Sequence, residues 1–163
     1  VDPHYLAWKM RTLDYRARFI ELAGQINTAM PDHVVELVRS GLNDREKAIR
    51  GSKILLLGVA YKKDVDDVRE SPSLDVMRLL EDQGAALDFY DPMVYEINWN
   101  GQTKTGINQL DSKKIAGYDA VVILTEHSGV DYDRIMESGT LIVDTRNVYD
   151  GVVSENIVKL GVT

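Results

Sequence analysis

A stretch of thirteen residues from Gly58 to Glu70 carries the side chains best suited to chemistry in this sequence: Tyr61, Lys62, Lys63 and Arg69. Lysine offers a point charge and arginine a planar fork of donors, and both suit phosphate or carboxylate groups. The stretch follows an apolar run, and connections between a strand and a helix usually have only about 2–6 residues. Its length is therefore typical of a binding loop. The alternative is that the cations only balance the acidic residues of the same loop, which are Asp64, Asp66, Asp67 and Glu70.

Arg146 lies in a second candidate position, the turn Asp144-Thr145-Arg146-Asn147 that follows the apolar run 141–144. Ligands of parallel sheets bind outside the carboxyl ends of the strands, where this turn is expected. The alternative is a surface arginine that caps a turn. Asp91-Pro92 ends another apolar run and is a third strand end of this kind.

Several common sites are not expected from the residue pattern. Gly58 begins as a dinucleotide-binding fingerprint would, but Ala60 replaces its second glycine. Asp91 lies 33 positions further on, whereas the acidic partner of the ribose normally follows by about 20. The chain has no cysteine, and its three histidines lack metal-ligand spacing. We therefore expect no NAD-cradling loop, cysteine nucleophile or metal site within this sequence.

Composition limits the partners. The 163 residues are 44% hydrophobic and 28% charged, with a net charge of −7. Such an acidic chain is a poor binder of nucleic acid, so a few local cations must hold any anionic ligand. No apolar run approaches the roughly 20 residues of a membrane span, and no secretory signal is evident. We expect a cytoplasmic protein without membrane or nucleic-acid partners.

The pattern after residue 48 alternates strands with helices. Apolar runs predict strands at 53–58, 86–90, 120–124 and 141–144, and helices are expected at 72–84, 132–137 and 155–160, with Ser71 as the N-cap of the first. Residues 93–107 are turn-rich and remain unassigned. This order predicts an α/β fold, a Rossmann-like doubly wound parallel sheet with right-handed crossovers.

Residues 1–48 instead show helical periodicity and are expected to form a long N-terminal helical arm. Pro31 predicts a kink or break near 27–30, and Gly41 with Asn43 should end the helix. The apolar stripe must cover either the sheet or a second copy of itself. Its residues are Phe19, Leu22, Ala23, Ile26, Met30, Val34, Leu37, Val38 and Leu42. We expect a helical dimerisation segment at 1–48 and a ligand-binding domain at 49–163.

Several long motifs cover nearly the whole chain. They are the segments 53–73, Gly84-Ala85, Tyr90-Asp91-Pro92, 1–9, 18–27 with Met30-Pro31, and 144–147. Together they resemble the central helix and C-terminal domain of the UDP-glucose/GDP-mannose dehydrogenases, most specifically at 61–72. Segments 1–9 and 65–72 are most similar to the branch acting on UDP-N-acetylhexosamines, such as the UDP-N-acetylglucosamine 6-dehydrogenases.

The resemblance implies oxidation of the C6 alcohol of a UDP-sugar to a carboxylate, with two NAD+ consumed, for polysaccharide biosynthesis. In this family a cysteine is the nucleophile, an N-terminal Rossmann domain holds NAD, and the central helix forms a homodimer. Asp2 matches a catalytic aspartate four positions after that cysteine, although Val1 replaces the lysine expected before it. Arg69 matches an arginine that reaches NAD.

Three substrate-binding residues are implied in the same way. Tyr61 and Lys62 match an aromatic-lysine pair that contacts the nucleotide sugar, and Arg146 matches an arginine near that site. Since this sequence has neither cysteine nor NAD fingerprint, we expect a fragment of a longer enzyme that cannot turn over substrate alone. The alternatives are a free-standing sugar-nucleotide-binding module without catalysis and a purely structural dimerisation unit.

Overall fold

The computed structural model describes residues 2–161, with side chains from residue 3 onward. Its helices are α1 (Asp2–Arg11), α2 (Arg18–Asn43), α3 (Pro72–Asp82), α4 (Ser112–Ile115) and α5 (Tyr132–Glu137). Its strands are β1 (Lys53–Leu57), β2 (Ala86–Tyr90), β3 (Glu96–Trp99), β4 (Gln102–Thr105), β5 (Ala120–Ile123), β6 (Leu141–Asp144) and β7 (Ile157–Lys159). Five of the strands form one parallel sheet in the order β2-β1-β5-β6-β7.

Both faces of this sheet are covered. The side chains of β5 and β6 are all buried, as are four of the five in β1, which explains their continuous apolar runs. The apolar core on one face includes residues of α2, α3 and the β3–β4 hairpin, and the core on the other includes residues of α4 and α5. The predicted Rossmann-like, doubly wound α/β fold is confirmed.

Helix α3 begins and ends where its sequence predicts. Ser71 is the N-cap, and its hydroxyl accepts a hydrogen bond from the Ser73 amide at 3.4 Å. Pro72 follows at the first helical position, where its missing N–H costs nothing. Gly84, at φ +90°, comes just after the helix and takes the left-handed conformation that suits glycine.

Helix α2 agrees with its prediction at its end and differs within. Of the two alternatives at Pro31, the break does not occur, because Val34, Val35 and Val38 pack into the core and offset one lost hydrogen bond. The helix ends at Asn43 as predicted, but Gly41 lies buried inside it. A Cβ there would stand 3.0 Å from the Leu141 methyl groups, so glycine permits the close approach of helix and sheet.

The apolar stripe of α2 therefore divides between two environments. Val34, Val38 and Leu42 belong to the same core as the sheet, whereas Phe19 and Leu22 are exposed. The division of the chain at residues 48 and 49 stays a prediction. No helix among residues 2–161 combines the length and hydropathy that crossing a bilayer demands.

After residue 48, the structure assigns one segment that the sequence leaves open and corrects another. Residues 93–107 contain an antiparallel hairpin of β3 and β4, turned by Asn100 and Gly101, both at positive φ. The predicted helix at 155–160 is wrong, because Ile157 to Lys159 form strand β7 and pair with β6. The β-branched pair Ile157-Val158 suits a strand at the edge of the sheet, where it pairs with β6.

Candidate functional site

The loops after β1 and β5, together with the turn after β6, line the candidate site. From β1 the sheet extends to β2 on one side and to β5 on the other, so the order of the strands reverses between β1 and β5. At such a switch point the two loops diverge and leave a crevice in which doubly wound sheets bind ligands. A cavity of about 450 Å³ lies here, lined by Tyr61, Lys62, Lys63, Thr125, Glu126 and Arg146.

The loop after β1, residues 58–70, is called the cavity loop below, and it is held against the loop that follows β5. The Thr125 hydroxyl donates to the Ala60 carbonyl at 2.7 Å, and Lys63 Nζ donates to Glu126 Oε1 at 2.5 Å. This hydrogen bond raises the pKa of Lys63. Gly58 has φ +80°, and a Cβ there would stand 2.2 Å from the Thr125 carbonyl oxygen. Only glycine allows the two loops to approach this closely.

Arg146 is positioned by its own turn. The Asp144 carboxylate is buried and accepts the amides of Arg146 and Tyr149, each at 3.0 Å. Arg146 Nε donates to the Leu124 carbonyl at 2.5 Å. Within residues 3–161 the other two guanidinium nitrogens have no hydrogen-bond partner. They remain available as donors to a ligand in the cavity.

The charges lining the cavity favour an anion. Lys63 is paired with Glu126, so Lys62 and Arg146 supply the remaining positive charge. Lys62 Nζ stands 5.5 Å from the centre of the Tyr61 ring, a cation–π arrangement, and makes no ion pair with the described side chains. Two cations within one crevice match a diphosphate, which the net charge of −7 would otherwise repel.

The structure does not bring every predicted residue to this site. Tyr61, Lys62 and Arg146 share the cavity, but Arg69 does not line it. Instead the Arg69 guanidinium forms two hydrogen bonds to the Asp67 carboxylate, at 3.0 and 2.8 Å, which lower the pKa of Asp67 to about 2. The side chain of Asp2, the predicted catalytic residue, lies outside the described residues.

A buried histidine–aspartate pair, whose histidine directly follows the cavity-lining Glu126, is not predicted by the sequence. His127 Nε2 lies 3.1 Å from Asp91 Oδ2, and both side chains are fully buried. The sequence marks Asp91 as a strand end and as part of a family motif, and His127 as a histidine without metal-ligand spacing, but nothing in it pairs the two. The two are 36 residues apart in the sequence. Asp91 follows β2 and His127 follows β5, and β1 lies between these strands, so only the order of the strands in the sheet could have suggested a contact.

The turn after β1 does not provide a cradle for a dinucleotide. The amides of Val59 and Ala60, which a fingerprint loop would turn toward the pyrophosphate, donate to Asp91 Oδ2 at 2.8 and 2.9 Å. A carboxylate of the protein thus takes the place a phosphate would need. The residues present at this turn do not fit NAD, as the missing second glycine predicts.

A larger cavity of about 680 Å³ lies between α1 and α2. Among its lining residues, Arg11 and Arg16 both pair with Glu21, at 2.8 and 3.6 Å. It belongs to the helical arm rather than to the strand ends, so it is not the expected place for a ligand of the sheet.

Residues 55–151 match the family model described as "UDP-glucose/GDP-mannose dehydrogenase family, UDP binding domain". The chain belongs to this family. In this UDP-glucose/GDP-mannose dehydrogenase family member, all six cavity residues lie inside the matched segment. The resemblance inferred from the motifs is confirmed.

The chain resembles several dehydrogenases acting on different sugars. It is 31% identical to the UDP-N-acetyl-D-mannosamine dehydrogenase of Methanococcus maripaludis, over 92% of this chain and 34% of that protein. It is 26% identical to the UDP-N-acetyl-D-glucosamine 6-dehydrogenase of Pseudomonas aeruginosa, over 78% and 30%.

A solved structure shows the same fold. The NDP-N-acetyl-D-galactosaminuronic acid dehydrogenase of Methanosarcina mazei superposes with a TM-score of 0.70 at 30% identity. The match covers 86% of this chain and 30% of that one. This family member thus spans about a third of the length of the curated relatives it matches.

Proposed function

We propose that the crevice between the β1 and β5 loops binds the UDP portion of a UDP-sugar. The observation that carries the proposal is that Tyr61, Lys62 and Arg146 line one cavity at the switch point of the sheet. The two cations would hold the diphosphate, and Arg146 could do so through two parallel donors. The Tyr61 ring, about half exposed beside Lys62, offers an apolar face for the nucleoside or sugar.

For the whole protein we propose an NAD-dependent UDP-sugar 6-dehydrogenase that converts the C6 alcohol to a carboxylate. The substrate proposed is a UDP-N-acetylhexosamine, supported by the relatives that act on UDP-N-acetyl-D-mannosamine and UDP-N-acetyl-D-glucosamine. Asp2 is proposed as a proton-handling catalytic residue and Arg69 as a contact to NAD. The rest of the NAD site and the nucleophilic thiol would lie outside these 163 residues, which contain no cysteine.

Calorimetric titration of the chain with UDP tests the binding proposal directly. Lys62→Ala should weaken UDP binding by about tenfold, because a charge-assisted contact to the diphosphate is lost. Lys113→Ala is the matched control, since Lys113 is an exposed lysine of α4 that does not line the cavity. Equal dissociation constants for the two variants, or no binding by the unmodified chain, would contradict the proposal.

The alternative function is a sugar-nucleotide-binding module without catalysis, which the same cationic crevice would support. Both functions predict UDP binding, so activity must separate them. The full-length protein should produce NADH when given one member of a panel of UDP-sugars, whereas the 163-residue chain should produce none. A full-length protein that binds the UDP-sugars and oxidises none of them would favour the module.

We also propose that the first half of α2 forms a homodimer. Phe19, Leu22 and Ile26 are 89%, 51% and 53% exposed and form an apolar stripe that a second copy could cover. Leu22→Asp should convert the dimer to a monomer in sedimentation velocity, because it places a charge in the apolar interface. Val153→Asp is the control, since Val153 is 99% exposed and lies outside the helical arm. A Leu22→Asp chain that remains dimeric would exclude this stripe as the interface.

A further inference from the structure

The buried His127 side chain joins two loops that build the cavity and a third beside them. Its Nδ1 accepts a hydrogen bond from the Asp64 amide at 3.1 Å, so the ring proton lies on Nε2 and is donated to Asp91. The His127 amide in turn donates to the Tyr132 hydroxyl at 2.9 Å. His127 thus bridges the loop after β1 and the turn after β2 from its own place after β5.

Asp91 is the second member of this bridge. Its Oδ2 accepts the Val59 and Ala60 amides, and its Oδ1 accepts the Met93 and Val94 amides at 2.8 and 3.1 Å. With the histidine, five donors converge on one buried carboxylate. These hydrogen bonds compensate its loss of hydration and fix the backbone where the cavity loop begins.

The far side of the cavity loop is fixed at Asp64. Its φ of +58° lies in the left-handed region, which few residues other than glycine adopt. His127 holds its amide, while the Ser128 amide and hydroxyl donate to its carboxylate at 2.9 and 2.7 Å. The Ser128 hydrogen bonds also lower the pKa of Asp64. The left-handed turn comes two residues after Lys62, so its geometry determines how the backbone presents that lysine.

We propose that His127 is a positioning residue for the UDP site: through the Asp64 amide it holds the 61–64 turn ready before the ligand arrives. This inference rests on the proposed UDP binding. A loop that is already ordered loses less conformational entropy on binding, so the affinity is higher than for a loose loop with the same side chains. His127 itself does not line the cavity.

Two variants of His127 each keep one of the two hydrogen bonds of the imidazole, and they therefore separate positioning of the 61–64 turn from general structural support. His127→Asn keeps an acceptor near the place of Nδ1 but cannot reach Asp91, whereas His127→Gln keeps a donor for Asp91 but loses the acceptor for the Asp64 amide. We expect His127→Gln to weaken UDP binding by about tenfold and His127→Asn by no more than about threefold. Tyr118→Phe is the control, because it removes a 2.7 Å hydrogen bond to Asp88 that is not part of the cavity.

Amide hydrogen exchange of the unliganded chain supplies an independent measurement. His127→Gln should speed exchange at Asp64 by about tenfold, while His127→Asn and Tyr118→Phe leave it within about threefold of the unmodified chain. The proposal is overturned if the affinities of the variants simply follow their melting temperatures, or if Gln and Asn change Asp64 exchange equally. If the unmodified chain fails to bind UDP, the proposed function fails, and exchange at Asp64 alone then decides whether His127 orders the turn.

Discussion

Replacing both Lys62 and Arg146 by alanine should weaken UDP binding to this chain by about a hundredfold. Both residues line the same cavity, and neither forms an ion pair with a carboxylate among the described side chains. Lys63 cannot replace them, because its ammonium group is held by Glu126 at 2.5 Å. Removing both leaves a crevice whose remaining ion pair is neutral, within a chain of net charge −7.

The measurement is calorimetric titration with UDP at two salt concentrations. The unmodified chain should lose affinity as salt rises, and the double variant should lose much less, since fewer charges remain to be screened. Arg146→Lys is the informative intermediate, because it keeps the charge but lacks the planar pair of donors. If the double variant binds UDP as tightly as the unmodified chain, the diphosphate is held elsewhere.

Gly58→Ala should destabilise the chain by about 3 kcal/mol, from left-handed strain and steric overlap together. The new Cβ would stand 2.2 Å from the Thr125 carbonyl oxygen, a backbone atom that cannot move without displacing the loop after β5. That displacement would also disturb the hydrogen bond from Thr125 to Ala60, so UDP affinity should fall with stability.

Gly51→Ala isolates the steric part of this effect. Gly51 has φ +85°, close to the +80° of Gly58, but nothing lies within 4 Å of its added Cβ. Gly51→Ala should therefore lower the free energy of unfolding by the backbone strain alone, about 1–2 kcal/mol. Urea unfolding followed by circular dichroism measures both variants. If the two destabilise equally, the close approach of the β1 and β5 loops does not contribute.

The sequence predicts the sheet well because its central strands are buried on both faces. Such strands must be continuously apolar, and the runs in β1, β5 and β6 show it directly. Strand β7 shows no such continuous apolar run, because it has only three residues and is partly buried. The β3–β4 hairpin could have been found, since Asn100-Gly101 is a strong hairpin signal, but the flanking strands are short and polar.

The sequence likewise reveals some features of the site and not others. The length and charge of the cavity loop are visible in the residues, and so is Arg146 at a strand end. The pairing of His127 with Asp91 is not, because it depends on which strands are neighbours in the sheet, a property of the fold rather than of local spacing. The salt bridge between Arg69 and Asp67 is not visible either, because several acidic residues lie near Arg69 in the sequence and any of them could have been its partner.

The hairpin and α3 are joined through Glu81, whose two carboxylate oxygens accept from the Trp99 indole and from Lys104, each at 2.7 Å. The chain has only one other tryptophan, Trp8, which is 57% exposed on α1. The intrinsic fluorescence of the protein therefore has two separated sources, one in the sheet domain and one in the helical arm. Emission from Trp8 should shift to shorter wavelength when α1 becomes covered, whereas Trp99 should respond when the Glu81 contact opens. With Trp8→Phe and Trp99→Phe chains, one spectrometer could follow assembly and unfolding as distinct optical events.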